Sequence, residues 1–200
     1  DFVPHVVDCI RASGIADRLL LVSFRHDLLQ QAKALMPELR IGVLTLGDLL
    51  SMMLPPPVIW QDLGLVNSMD EPLDEENCPA LKKQVGMVSS AISDKLTLIA
   101  ALYPQMSVRQ ILATLSAQAD PAAYVRTLGF PVELVSCEYH TAFANPEVVN
   151  QLHDAGCKAA FWTVNTEDVV RSLVPLGPDC FVTDRPDVIR EWIEKAQAET

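Results

Sequence analysis

Val132-Glu133-Leu134-Val135-Ser136-Cys137 and Ala159-Ala160-Phe161-Trp162-Thr163-Val164 decide the fold. Both are short runs dominated by apolar residues, the pattern of a strand covered on both faces in a parallel sheet. Between them, Asn145-Pro146 opens a helix with a capping residue followed by proline at the first helical position, and Gly156 closes it. Strand, helix, strand is the unit from which parallel sheets are wound. Toward the C-terminus the alternation continues. Residues 166–174 read as a helix, 180–183 as a strand, and Arg185-Pro186 opens a last helix with Val188, Ile189, Trp192 and Ile193 on one face. Toward the N-terminus, residues 2–13 place Val3, Val6, Val7 and Ile10 at helical spacing before Gly14. Leu19-Leu20-Leu21-Val22-Ser23-Phe24 then reads as a strand buried on both faces. Asp27 reads as the cap of a helix carrying Leu28, Ala32, Leu35 and Met36, and residues 40–44 as a second buried strand. The fold class is α/β with a parallel sheet.

Between these blocks the pattern changes. Pro55-Pro56-Pro57 is stiff and extended, and residues 67–79 carry Asp70, Glu71, Asp74, Glu75 and Glu76 with little to bury, which predicts a mobile loop. Two helical patterns follow, 80–103 with a break near Ser93-Asp94, and 107–118. The expected organisation is therefore 1–47 and 120–200 as sheet-forming parts, with 48–119 an insertion of acidic loop and helices. An eight-stranded (β/α)8 barrel takes ~250 residues. The five strands here are either an open sheet or part of such a barrel.

Composition removes several function classes. The net charge is −11 and the 15 basic residues are scattered, whereas a nucleic-acid groove needs a basic stripe. No apolar run reaches the ~20 residues of a membrane span. The five cysteines, Cys9, Cys78, Cys137, Cys157 and Cys180, show no CxxC pair and read as small buried hydrophobes in a reducing compartment. With no basic, apolar leader visible, the expected location is cytoplasmic.

Three motifs choose between open sheet and barrel. Val22-Ser23-Phe24 followed by Ile41-Gly42-Val43-Leu44, then Phe161-Trp162-Thr163-Val164-Asn165, then Val182-Thr183-Asp184-Arg185-Pro186-Asp187, stand in this order along the chain. Together they resemble the glycerophosphodiester phosphodiesterase family, over about 1–47 and 120–200. The resemblance implies a TIM-type (β/α)8 barrel, of which this chain holds about strands four to eight. It also implies metal-dependent hydrolysis of glycerophosphodiesters to an alcohol and glycerol 3-phosphate, within lipid and glycerol metabolism. The family's His-Arg-Gly, Glu-x-Asp, His-Asp and Glu-x-Lys elements, which supply the acid–base histidines and the ligands of a divalent metal (Mg²⁺ or Ca²⁺), have no counterpart here. No catalytic and no metal-binding residue is therefore assigned to this chain, and no metal is expected on it alone.

Two residues are assigned to substrate binding. Trp162, at the end of the strand 159–164, would wall the pocket beside the alcohol group, the alternative being an ordinary buried aromatic. Phe24, at the end of the strand 19–24, is a second wall or a packing residue. Asp184 reads as a cap for backbone donors or as a metal or substrate ligand. Glu138 and Asp48 also follow strands, but nothing in the sequence makes their oxygens converge. His140 is the histidine best placed to see the mouth, His26 reads as exposed, and His5 and His153 as helix-surface residues. The insertion reads as a lid or as a tolerated expansion. The expected partners are a small glycerophosphodiester and either the missing N-terminal barrel segment or a second copy. Two alternatives stay open: a catalytically inactive binding or assembly module, and a self-contained open α/β domain.

Overall fold

The computed structural model describes residues 2–46, 56–82 and 90–199. The chain divides into two compact units, Asp1–Gly47 with Ala119–Thr200, and Asp48–Gln118.

The first unit contains strands β1 (Leu20–Ser23), β2 (Arg40–Thr45), β3 (Leu134–Glu138), β4 (Lys158–Trp162) and β5 (Cys180–Phe181). They pair in chain order and all in parallel. A right-handed crossover that always steps to the next strand lays every helix on the same side of the sheet. The packing shows this one-sidedness. Ile41, Val43, Val135, Cys137, Ala159 and Phe161 form one core cluster with residues of seven helices: α1 (Phe2–Ser13), α2 (His26–Leu35), α5 (Pro121–Val125), α6 (His140–Ala144), α7 (Val148–Asp154), α8 (Glu167–Leu173) and α9 (Ile189–Ala198). The alternate residues Val22, Gly42, Leu44, Ser136, Glu138, Ala160 and Trp162 point to the opposite, inner face, because successive side chains along a strand alternate sides.

Gly42 shows why that inner face is concave. A β-carbon there would lie 2.7 Å from Val22 Cγ1 and 3.4 Å from Leu134 Cδ2, so side chains of both neighbouring strands close over the glycine. At the N-terminal ends of the strands, Arg40 grips Glu133 through two hydrogen bonds of 2.6 Å, with Lys158 beside them. The Arg40 guanidinium, helped by Lys158, holds the Glu133 carboxyl down at about 2.

Several local expectations change. β1 is a sheet edge among the described residues, so Val22 is 42 % exposed and the strand is not buried on both faces. Helix α2 begins at His26, and Asp27 does not cap it. The Asp27 carboxylate is held instead by the Arg25 guanidinium at 2.9 and 2.7 Å, while Ser23 Oγ accepts the Arg25 N–H. A short helix α6 (His140–Ala144) precedes α7 where only one helix is expected. Cys78, Cys137 and Cys157 are buried, but Cys9 on an outer helix face and Cys180 on the last strand are exposed.

The second unit packs α3 (Ser90–Leu102) and α4 (Val108–Gln118) through buried residues including Leu96, Ile99, Val108, Ile111 and Leu115. The predicted break at Ser93-Asp94 is absent. Ser93 Oγ donates to the Ala80 carbonyl at 2.9 Å, an outlet that leaves the helix intact. Nor is 67–79 structureless. Buried Asn77 donates to the Ser68 and Pro72 carbonyls and accepts from the Ser68 N–H, so one amide joins the buried Leu73 and Cys78 in anchoring the stretch.

The contact over Gly42 is open to test. Gly42→Ala forces Val22 to turn away and should lower unfolding stability by about 1 kcal/mol. Adding Val22→Ala should recover most of that loss in urea unfolding. Unchanged stability in Gly42→Ala would show that the two strands do not approach so closely.

Candidate functional site

In a parallel sheet all strand C-termini share one edge. Here that edge gathers Phe24 after β1, Glu138 ending β3, Trp162 ending β4, and Asp184 after β5. The indole Nε1 of Trp162 donates to the Ser136 carbonyl on the neighbouring strand at 3.1 Å, which lays the ring across the inner face. The Phe24 ring meets it edge-on, centroids 5.3 Å apart and planes at 85°. Flat strands at ~4.8 Å spacing would hold β1 and β4 roughly 14 Å apart. The reach of the two side chains spans that gap and brings the two expected pocket walls together over the inner face.

The next turn is tied down by Asn165. Its Nδ2 donates to Asp184 Oδ2 at 2.8 Å, and its Oδ1 accepts from the Asp184 N–H and the Thr183 hydroxyl. Asp184 is thereby a partner of the preceding loop and meets no second carboxylate among the described residues. The tether is a role for Asn165 that the sequence did not signal.

Glu138 is 5 % exposed, and both its oxygens are used by one neighbour. The His140 N–H reaches Oε2 at 2.9 Å and the ring Nδ1 reaches Oε1 at 2.8 Å. The imidazole stacks on Tyr139 at 4.2 Å, and Phe143 meets its edge at 5.8 Å. Tyr139 N–H donates to the Trp162 carbonyl, so this group sits directly beside the tryptophan.

His26 is a correction. It is buried, not exposed, because helix α2 starts one residue early and turns the ring inward. Nε2 lies 3.0 Å from the Leu44 carbonyl and Nδ1 2.7 Å from the Tyr124 hydroxyl. A carbonyl only accepts, so Nε2 carries the proton and Nδ1 of the neutral ring accepts from the phenol. The ring thus joins the end of β2 to α5, the two places where the chain leaves and re-enters this unit. Burial pushes its pKa below 6.5. His5 and His153 are exposed; His153 pairs with Asp179 at 2.9 Å. Asp48 lies outside the described residues.

No three metal-ligating side chains come together among the described residues. Glu138 accepts two bonds from His140 and Asp184 one from Asn165, and with no such group assembled no step is routed through a cation. A cavity of ≈ 500 Å³ lined by Arg126, Phe130, Val132 and Cys157 lies at the opposite, N-terminal ends of β3 and β4, away from this cluster.

Residues 61–188 match the model of the Glycerophosphoryl diester phosphodiesterase family. The chain belongs to this family. The match contains Trp162, Asn165 and Asp184 and starts after Phe24. No curated protein matches. Among solved structures, a putative glycerophosphoryl diester phosphodiesterase from Silicibacter pomeroyi is 19 % identical with a TM-score of 0.54, over 98 % of this chain and 44 % of that one. A glycerophosphodiester phosphodiesterase from Parabacteroides distasonis is 14 % identical with a TM-score of 0.33, over 87 % of this chain and 63 % of that one. The chain therefore spans less than half the length of the first of these phosphodiesterases. Family enzymes generally use a divalent metal, and no helix among the described residues is long and apolar enough to cross a membrane.

The histidine joint has a pH signature. Below the ordinary histidine value of 6.5 the unfolded chain takes up a proton before the buried His26 does, so stability present above that pH is lost as pH falls. The urea midpoint should drop between about pH 7.5 and 5.5, and drop less in His26→Gln. An equal drop in both proteins would remove His26 from the explanation.

Proposed function

We propose that this chain is the C-terminal part, about strands four to eight, of a (β/α)8-barrel phosphodiesterase that hydrolyses glycerophosphodiesters to an alcohol and glycerol 3-phosphate. The observation that carries the proposal is the meeting of Phe24 and Trp162 at the C-terminal ends of a curled, singly wound sheet. Barrel enzymes place their chemistry at that end. Curvature toward a closed ring also supports the reading. In it, Trp162 and Phe24 form the apolar wall of the pocket beside the alcohol group and exclude water from it. The acid–base pair and the metal site come from strands outside this chain. Those strands, or a second copy, pair with the exposed edges of β1 and β5, since unpaired strand edges invite association. The domain limits follow: 1–47 and 120–200 complete the barrel, and 48–119 is an insertion leaving after the fifth barrel strand.

A second reading, a catalytically inactive binding or assembly module, is favoured by one observation. Glu138, a buried carboxylate at the mouth, has both oxygens committed to His140.

Release of glycerol 3-phosphate from glycerophosphocholine, with Mg²⁺, Ca²⁺ or Mn²⁺, separates the two. We expect turnover by the natural protein that carries this chain and none by these 200 residues alone. Trp162→Ala in the natural protein should lower kcat/KM at least ~10-fold, about 1.4 kcal/mol of transition-state binding. No turnover by the natural protein would select the inactive module. Turnover by the 200-residue chain would place the chemistry among its own residues.

A further inference from the structure

Glu138 and His140 are not accounted for by the pocket walls or by the fold. A buried carboxylate beside an apolar strand face is costly unless its oxygens are bonded. Here both bonds come from one residue that is only two positions away. The pair is a local device whose product is a fixed imidazole. A carboxylate accepts, so Nδ1 of His140 must donate, and the neutral ring then presents Nε2 as a bare acceptor. Among the described residues Nε2 has no hydrogen-bond partner. The ring is not sealed in: its side chain is 31 % exposed, while that of Glu138 is 6 % exposed. Tyr139 stacked on one side and Phe143 at the edge limit its rotation. Its place is also set. Glu138 is the register partner of Trp162 across β3 and β4, and both point to the inner face at the strand ends.

We propose that His140, oriented by Glu138, is a recognition site for a hydroxyl group on the alcohol or glycerol part of the substrate, received beside Trp162. The proposal rests on the functional reading above and adds a residue to it. In the neutral ring the acceptor nitrogen selects a hydrogen-bond donor, and in a glycerophosphodiester the hydroxyls are the donors that lie next to the phosphate. Glu138 acts as a positioning residue, because it reaches the ligand only through the imidazole. The aromatic wall supplies contact area and His140 supplies direction, the division usual in small-molecule pockets.

Nitrogen-15 spectra of the histidine side chains of the natural protein that carries this chain test this, with His140 assigned by substitution. In the free protein His140 should show a protonated Nδ1 and an acceptor Nε2. The opposite tautomer would overturn the proposal without any variant. Glycerol 3-phosphate should move the Nε2 resonance of His140 and also change the fluorescence of Trp162, whereas methyl phosphate, which lacks the hydroxyls, should leave His140 unmoved. Glu138→Gln turns an amide N–H toward Nδ1 and should switch the ring to the Nε2-protonated form. Binding of glycerol 3-phosphate should then weaken about tenfold. A purely structural pair would leave the Nε2 signal indifferent to ligand. If Trp162 responds and His140 does not, the mouth binds substrate and His140 is not its hydroxyl site. If His140 responds equally to methyl phosphate, it reads phosphate and the proposal falls. If neither responds, both this proposal and a substrate pocket at this mouth are contradicted.

Discussion

The edge-on contact of Phe24 with Trp162 is the constraint on which the rest of the first unit depends. Two rings from strands separated by two others meet when both lean over the inner face, and a bend of the sheet toward that face shortens the span between them. Everything that permits the bend is visible in the same layer. Gly42 leaves room where Val22 and Leu134 close in, and Ser136 and Ala160 keep the adjacent positions small. On the outer face seven helices fill the space with Leu29, Val149, Leu152, Val170 and their neighbours. One-sided winding and curvature are therefore the same fact seen from two faces. A sheet with helices on one side buries its other face only by curling around it.

Curvature also converts sequence neighbours into a site. The residues that end β3 and β4, or directly follow them, project into the concavity, while short-range hydrogen bonds decide which way each side chain turns. Asn165 holds the loop after β4 against the one after β5. Glu138 holds His140, and His26 joins Leu44 to Tyr124 at the points where the chain departs for the second unit and returns. Each of these joints leaves little rotational freedom to a group near the mouth. Preorganisation of that kind lowers the ordering cost of binding a small ligand. The ionic group of Arg40, Glu133 and Lys158 closes the other end of the strands, and it is a structural rather than a chemical feature.

Much of this was legible in the chain. Strand and helix alternation is written in the apolar runs at 19–24, 40–44, 132–137 and 159–164, and the strand-end position of Trp162 follows from its place in such a run. What was illegible was which of several possible partners each side chain takes in three dimensions. His26 reads as exposed because nothing local shows that Leu44 and Tyr124 will enclose it. Asp27 reads as a cap because its local propensity is strong, yet the Arg25 guanidinium two residues earlier outcompetes the backbone for its oxygens. The acidic stretch 67–79 reads as a mobile loop because composition counts charges and does not see one Asn77 amide collecting four backbone groups. Val22 and Cys180 read as buried because apolar runs do not reveal which strands lie at an edge.

The central claim is that Phe24 and Trp162 meet across the ends of β1 and β4 and so build the mouth. Nuclear Overhauser contacts between the Phe24 ring protons and the Trp162 indole protons, recorded on the 200-residue chain in solution, test it most directly. The centroid separation of 5.3 Å predicts clear cross-peaks between the two rings. Their absence, with both rings assigned and the β2–β3 and β3–β4 pairings intact, would mean that the two rings do not meet over the inner face. That result would contradict the site built at this mouth.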